Sequence, residues 1–144
     1  MVDLAPPKKQ APKSPAYPEI EPPEVAKKMT LLKQTMVQKE LYLDPSLSID
    51  SLANQVNLPT KEVSTLINHY LKQHFYDFVN EYRIKKAIEI LEDPSNDQLT
   101  TLEILYDVGF NSKSSFYTVF KKYTHTTPKA YKKQHREKIN SSIK

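Results

Sequence analysis

Gly109 is the only glycine in a chain of 144 residues, and it falls between two short segments with helical apolar spacing. A tight turn between two helices needs a residue that accepts positive φ, and glycine does so without a Cβ clash. At the matching place 52 positions earlier stands Asn57, the residue next most tolerant of a left-handed backbone. Around this pair Leu52 corresponds to Ile104, Val56 to Val108, and Leu58 to Phe110. Past the turn the offset becomes 53, so that Val63 corresponds to Phe116 and Ile67 to Phe120. One motif therefore occurs twice: a short amphipathic helix, a turn and a second amphipathic helix, with the second turn one residue longer. A plain helical bundle is the competing reading, but a repeat of this kind is hard to produce by chance.

The remainder of the chain is helical in pattern. Val25, Met29, Leu32 and Met36 form one stripe, in a helix that Asp44-Pro45 stops after Leu43. Short helices open near Ser48, with Leu52, Ala53 and Val56, and at Pro59-Thr60, with Val63, Leu66, Ile67 and Tyr70 on the inner side. A longer one runs from about Tyr76 to Glu92, carrying Phe78, Val79, Tyr82, Ile88 and Leu91, with Pro94 just beyond. Thr100 and Glu103 have the spacing of a capping box. Ser112 opens the helix of Phe116, Val119 and Phe120, and Thr127-Pro128 reads as an N-cap followed by proline at the first helical position. No segment alternates with period two. The expected fold is all-α, with helix-turn-helix units at about 48–71 and 100–123 joined by a central helix at about 76–92.

Seven of the eleven prolines lie within the first 23 residues, beside Lys8, Lys9 and Lys13. Proline removes backbone donors and fixes φ, so residues 1–22 are expected to be a flexible linker, and a linker implies a longer protein. The absence of cysteine suits a reducing cytosol. No apolar run approaches the ~20 residues of a membrane span, and the N-terminus lacks the apolar core of a signal peptide. A cytoplasmic location is expected, with membrane tethering of the full-length protein through the linker left open. Net charge is +4, but after Gly109 nine basic residues face one acid, Glu137. Such a block suits a polyanion. Residues 23–135 are the expected globular domain, and 136–144 a basic C-terminal tail.

The run Ile104-Leu-Tyr-Asp-Val-Gly-Phe-Asn-Ser-Lys-Ser-Ser-Phe-Tyr-Thr-Val-Phe-Lys-Lys-Tyr-Thr, followed by Thr127-Pro128 and Tyr131, resembles the signature of the AraC/XylS family of transcription regulators. Ser48-Ile-Asp-Ser-Leu-Ala and Phe75-Tyr-Asp-Phe-Val-Asn-Glu-Tyr-Arg-Ile fit it in the first half, and the likeness extends over roughly Leu31 to Tyr131. It implies two helix-turn-helix subdomains, each placing its second helix in a major groove of double-stranded DNA. It further implies RNA polymerase as a partner, an N-terminal sensor domain not present in this chain, and neither cofactor nor metal. Carried across position by position, the family's base-reading residues are Lys61 and Thr65 in the first unit and Lys113, Ser114 and Thr118 in the second. Lys72 and His125 stand where the family often has glycine, and Leu105 where alanine is usual.

Helical geometry leaves Thr60, Lys61, Glu62, Ser64, Thr65 and Asn68 outward in the first unit, and Lys113, Ser114, Tyr117, Thr118 and Lys121 in the second. Lysine can reach guanine O6 and N7, while Ser and Thr hydroxyls serve several bases. No arginine is among these readers, so DNA shape is expected to matter as well. Thr60, Asn68, Lys121, Lys122, Lys129 and Lys132, with Lys133, are the candidates for backbone phosphates. Arg83, amid core positions, is expected to pair with an acid or cap a carbonyl. His69 and His74 are five apart, which does not put two metal ligands on one helical face. No phosphate-cradling loop or nucleophile elbow occurs, so an enzyme is not expected. The second reading is a helical protein-interaction domain with a basic face for an acidic partner. A third, attachment of the C-terminal helix to a membrane surface, has only Ala130, Tyr131 and Ile139 as an apolar face.

Overall fold

The computed structural model describes residues 20–143, and among them there are helices and no strands. The first 19 residues of the expected linker lie outside this range. Helix α1 spans Pro22–Gln38, followed by a 3-10 turn at Leu41–Leu43. Then come α2 (Ile49–Val56), α3 (Thr60–Ser64) running into a π-helical segment (Thr65–Tyr70), and α4 (Phe75–Glu92). A 3-10 turn (Pro94–Asn96) precedes α5 (Thr101–Asp107), α6 (Lys113–Thr124) and α7 (Pro128–Ile143).

Three expected boundaries move. The linker cannot extend to residue 22, because Pro22 and Pro23 form the first turn of α1 and Ile20 is already buried. Proline suits that turn, where its missing N–H has no intrahelical acceptor and its φ is already helical. The first helix ends at Gln38 rather than near Leu43, because Glu40 turns left-handed at φ 49°. The residues from 136 onward are no separate tail, since α7 continues to Ile143. It is anchored as far as Arg136. Tyr131 donates to Glu92 at 2.5 Å, Lys132 to the Asp97 carbonyl at 2.9 Å, and Arg136 to the Asp97 carboxylate and the Glu92 carbonyl.

The chain divides into two compact units. The first comprises the residues up to Thr35 together with Ser48–Phe75. Ile20, Leu32, Leu52, Ala53, Val56, Val63, Leu66 and Ile67 are its buried apolar side chains among the described residues. Lys28 of α1 holds Glu62 of α3 at 2.6 Å, and Thr60 donates to Asp50 at 2.9 Å, tying α3 to its neighbours.

The second unit comprises Met36–Leu47 and the chain from Tyr76 on. Its core joins Ile84, Ala87 and Leu91 of α4 to Ile104, Leu105, Val108, Phe110, Phe116 and Phe120. The rings of Phe110, Phe116, Phe120 and Tyr131 follow one another at centroid distances of 5.2 to 5.9 Å. The central helix thus belongs to the second unit from Tyr76 onward and enters its core through Ile84, Ala87 and Leu91. Arg83, buried in α4, donates from Nε to the Tyr42 carbonyl at 2.6 Å and from Nη2 to the Asp44 carbonyl at 2.9 Å. Capping of carbonyls is therefore its structural part. Tyr42 also stacks on Tyr82 at 5.8 Å.

Two stability tests follow from these contacts. Gly109 has φ +103°, and a Cβ there would lie 2.4 Å from the Tyr42 carbonyl oxygen and 2.7 Å from Arg83 Nε. Strain and overlap together should make Gly109→Ala cost about 2–4 kcal/mol in urea unfolding. Asn57→Gly, at φ 56°, should be close to neutral in the same assay. The hydrogen bond to Glu92 pushes the Tyr131 phenol up to about 12. The folded chain then keeps a proton that the unfolded chain loses near pH ~10. This share of stability is complete below about pH 10 and is lost as pH rises toward 12. Tyr131→Phe should lower stability at neutral pH and flatten the alkaline decline in unfolding curves measured across that range.

Candidate nucleic-acid interface

The first helix and the turn of the repeat seen in the sequence are present in both halves with matching bonds. Ser48 caps α2 through a reciprocal box with Ser51, and Thr100 caps α5 through the same box with Glu103. At the turns Asn57 has φ 56° and Gly109 φ 103°. The next amide closes back over the helix end in both: Leu58 N–H to the Ala53 carbonyl at 3.1 Å, and Phe110 N–H to the Leu105 carbonyl at 2.9 Å. This wide closure satisfies carbonyls that a helix end leaves without partners. The second helices then start at Thr60 and Lys113, which preserves the offset of 53. They are followed by Lys72 and His125, left-handed at φ 59° and 63°. Both therefore adopt the conformation for which the family pattern supplies glycine.

Helix α6 is the better formed of the two second helices. Ser112 caps it, its side chain accepting from the Ser115 amide at 3.2 Å. Phe116 and Phe120 are fully buried, which leaves Lys113, Ser114 and Thr118 exposed on its first two turns. Ser114 and Thr118 are four apart and share a face, with Lys121 one turn further along it. Tyr117 is not outward as expected, because its ring packs against the core and lies 5.9 Å from the Lys113 ammonium.

The first unit departs further from the expectation. Lys61 is exposed, as base reading requires. Thr65 is not: it is 1% exposed, and its hydroxyl donates to the Lys61 carbonyl at 2.9 Å. From this residue on the hydrogen bonding widens to π geometry, so beyond it the phase of a 3.6-residue stripe drifts. Thr65 joins the buried arc with Leu66 and Ile67, while Tyr70, expected inside, is 41% exposed. Glu62, held by Lys28, was also expected outward and is only partly exposed.

The phosphate candidates sort by what already holds them. Lys121, Lys129 and Lys133 are exposed. Lys122 is exposed and lies 3.8 Å from Asp77, with the Tyr123 ring 6.0 Å away. Lys132 is engaged by Asp97, through its carbonyl at 2.9 Å and its carboxylate at 3.8 Å, so it is not the open cation expected. Hydrogen bonding from Arg136, aided by Lys132, holds the Asp97 carboxyl below the usual carboxylate range. The Thr60 hydroxyl gives its proton to Asp50 and has no second one for a phosphate. Asn68 donates one N–H to Ser64 at 2.9 Å and has another.

Among the described residues, no group of three or more His, Asp or Glu side chains is gathered as a metal ion would need. Among them, too, no helix is long and apolar enough to cross a membrane.

Residues 52–134 match the family described as "Helix-turn-helix domain". The chain is similar to the uncharacterized HTH-type transcriptional regulator YdeC of Bacillus subtilis, with 28% identity over 71% of this chain and 34% of that protein. It thus spans about a third of that relative's length. Among solved structures it resembles the C-terminal domain of the two-component response regulator yesN from Fusobacterium nucleatum. The TM-score is 0.59 and the identity 28%, over 72% of this chain and 95% of that one. It shares its fold with an AraC-type DNA-binding domain-containing transcriptional regulator from Chromobacterium violaceum. There the TM-score is 0.65 at 20% identity, over 78% and 96% of the two chains. The chain belongs to the AraC-type helix-turn-helix family and is a DNA-binding domain of a transcription regulator.

Proposed function

We propose that α6 reads one major groove through Lys113, Ser114 and Thr118, and that α3 reads a second groove chiefly through Lys61. The observation that carries this reading is the exposure of these side chains at the start of both second helices of a duplicated, capped motif. Lys121, Lys129 and Lys133, with Lys122 and Asn68, contact backbone phosphates, which position the protein without specifying sequence. Thr65, Thr60 and Lys132 have no direct part, because their polar groups are engaged within the protein. Binding rather than catalysis is the function, in keeping with the family. The domain acts in the cytoplasm as the output module of a longer, signal-responsive regulator, with RNA polymerase as its further partner and an N-terminal sensor region supplying the signal. An acidic protein partner or a membrane surface would account for the basic face but not for the duplicated motif.

The two readers differ in sequence, Thr60-Lys-Glu-Val-Ser against Lys113-Ser-Ser-Phe-Tyr-Thr, so the two half-sites should differ. One chain should occupy an asymmetric site of about 20 bp, protecting two adjacent major grooves. Site selection from a random duplex pool, footprinting and measured stoichiometry test this, and an obligatory dimer on a palindrome would refute it. Lys113→Ala and Thr118→Ala should each relax choice at one end of the site by about 1–3 kcal/mol, and Lys61→Ala at the other. Lys121→Ala should weaken all duplexes alike and reduce the slope of log affinity against log salt by about 0.9. Thr65→Val should leave the base preferences of the parent unchanged, a direct check on its removal from the readers. A shifted preference profile for that variant would restore it.

A further inference from the structure

Beside the N-terminal end of α6 the second unit carries a cleft of about 320 Å³, lined by Tyr76, Asn80, Arg83, Asn111 and Ser115 and walled by Pro45 and the turn at Gly109. No acidic side chain lines it. Arg83 is 5% exposed, and every acceptor that it meets is neutral: the carbonyls of Tyr42 and Asp44 and the side-chain oxygen of Asn80 at 3.2 Å. Among the described residues no carboxylate stands within ion-pair distance of it, and the Asp44 carboxylate accepts instead from the Ser46 amide at 2.8 Å. Three of the guanidinium's five N–H donors are thus engaged by neutral groups. Burial disfavours the charged form, and the Asp44 carboxylate favours it only from beyond ion-pair distance. A buried charge without a contacting counter-charge is costly, and an anion arriving from solvent relieves that cost. Asn80 accepts from Arg83 through its oxygen, so its N–H₂ group is directed away from the guanidinium. Asn111 and Ser115 add polar groups to the lining, and the positive end of the α6 dipole lies beside them.

We propose that this cleft seats one backbone phosphate of the bound DNA. The inference rests on the reading of α6 as a recognition helix. Asn111 and Ser115 flank Lys113 and Ser114, so a phosphate held between them borders the groove that those two residues enter. The contact sets the register of α6 on the duplex and carries no base information. Arg83 then has two parts: its Nε and Nη2 hold the Tyr42 and Asp44 carbonyls, and its charge meets the phosphate.

The test uses the full chain and a duplex containing its selected site, with single phosphates replaced in turn by neutral methylphosphonates. The parent should lose about tenfold in affinity at one phosphate bordering the second half-site. Ser115→Asp places a carboxylate at the mouth of the cleft, on a helical turn where acids are favoured, so the fold should be retained. This variant should bind cognate and unrelated duplexes about tenfold more weakly, with a salt slope reduced by about 0.9 and unchanged base preferences. It should also be indifferent to the replacement at that one phosphate. Should it melt lower than the parent, Asn111→Ala combined with Ser115→Ala is measured in the same way. Parent-like affinity, slope and methylphosphonate sensitivity in these variants overturn the phosphate seat while leaving the recognition helix standing. No sensitive phosphate in the parent, together with stabilisation by inorganic phosphate that Ser115→Asp abolishes, assigns the cleft to a free anion and overturns the DNA contact. A parent that binds no duplex at all overturns the recognition reading itself.

Discussion

The second unit depends on one side chain more than any other, the guanidinium of Arg83. It is buried in α4, and it holds the carbonyls of Tyr42 and Asp44 from a segment some forty residues away in sequence. The carbonyls of Tyr42, in the 3-10 turn, and of Asp44, just past it, find in Arg83 donors that no continuing helix or sheet ladder provides. Arg83 supplies two in the fixed fork that lysine lacks. Burial lowers its proton affinity from the ordinary arginine value, but arginine begins so high that it stays charged. The Phe110 ring lies 5.8 Å from the guanidinium, and Gly109 packs where a side chain would strike both Arg83 and the Tyr42 carbonyl. The turn of the second helix-turn-helix is therefore shaped by two demands at once, a left-handed φ and the absence of a Cβ. Asn57 meets only the first demand at the equivalent turn, which is why that position does without glycine.

Charge around α6 and α7 is sorted rather than uniformly free. Asp97 takes up Lys132 and Arg136, and Asp77 lies beside Lys122. These acids draw part of the basic block onto the protein and fix α7 along the loop after α4. Exposed cations that none of these acids takes up are Lys113 and Lys121 on α6 and Lys129, Lys133 and Lys138 on α7. Two jobs that look alike in composition, holding a helix down and the proposed holding of a phosphate, thus fall to different residues of one basic stretch.

How much was legible in the sequence follows from the range of the interactions involved. The caps at Ser48, Thr100, Ser112 and Thr127 and the turns at Asn57 and Gly109 were readable because each is decided within a few residues of chain. The apolar stripes of α5 and α6 were readable because burial there follows the 3.6-residue period. Thr65 was misplaced because it is buried although the 3.6-residue period of Val63, Leu66 and Ile67 turns it outward, and nothing in the local spacing announces that. Lys132 was misplaced because its partner, Asp97, lies 35 residues away and acid–base pairing at such distances has no spacing rule. The membership of Met36–Leu47 in the second unit was invisible for the same reason, since Arg83 reaches it across a gap of about forty residues. Pro22 was assigned to the linker on composition, although proline in a first helical turn is a favourable placement.

The two halves of the repeat have kept the same turn and parted in what they present. α6 is a 12-residue helix with a serine cap, whereas α3 runs for five residues before its hydrogen bonding widens. Lys28 restrains Glu62, Asp50 restrains Thr60, and Thr65 is buried, so of the proposed readers the first unit offers only one exposed side chain, Lys61. A lysine is a flexible point donor with no fixed fork, and alone it discriminates bases less than a bidentate pair does. The second unit offers Lys113, Ser114 and Thr118 together on a helix that aromatic packing holds in one register. Base choice should therefore be concentrated in the half-site under α6. The half-site under α3 would then be selected more by groove shape and backbone contact, where weak readers lose least.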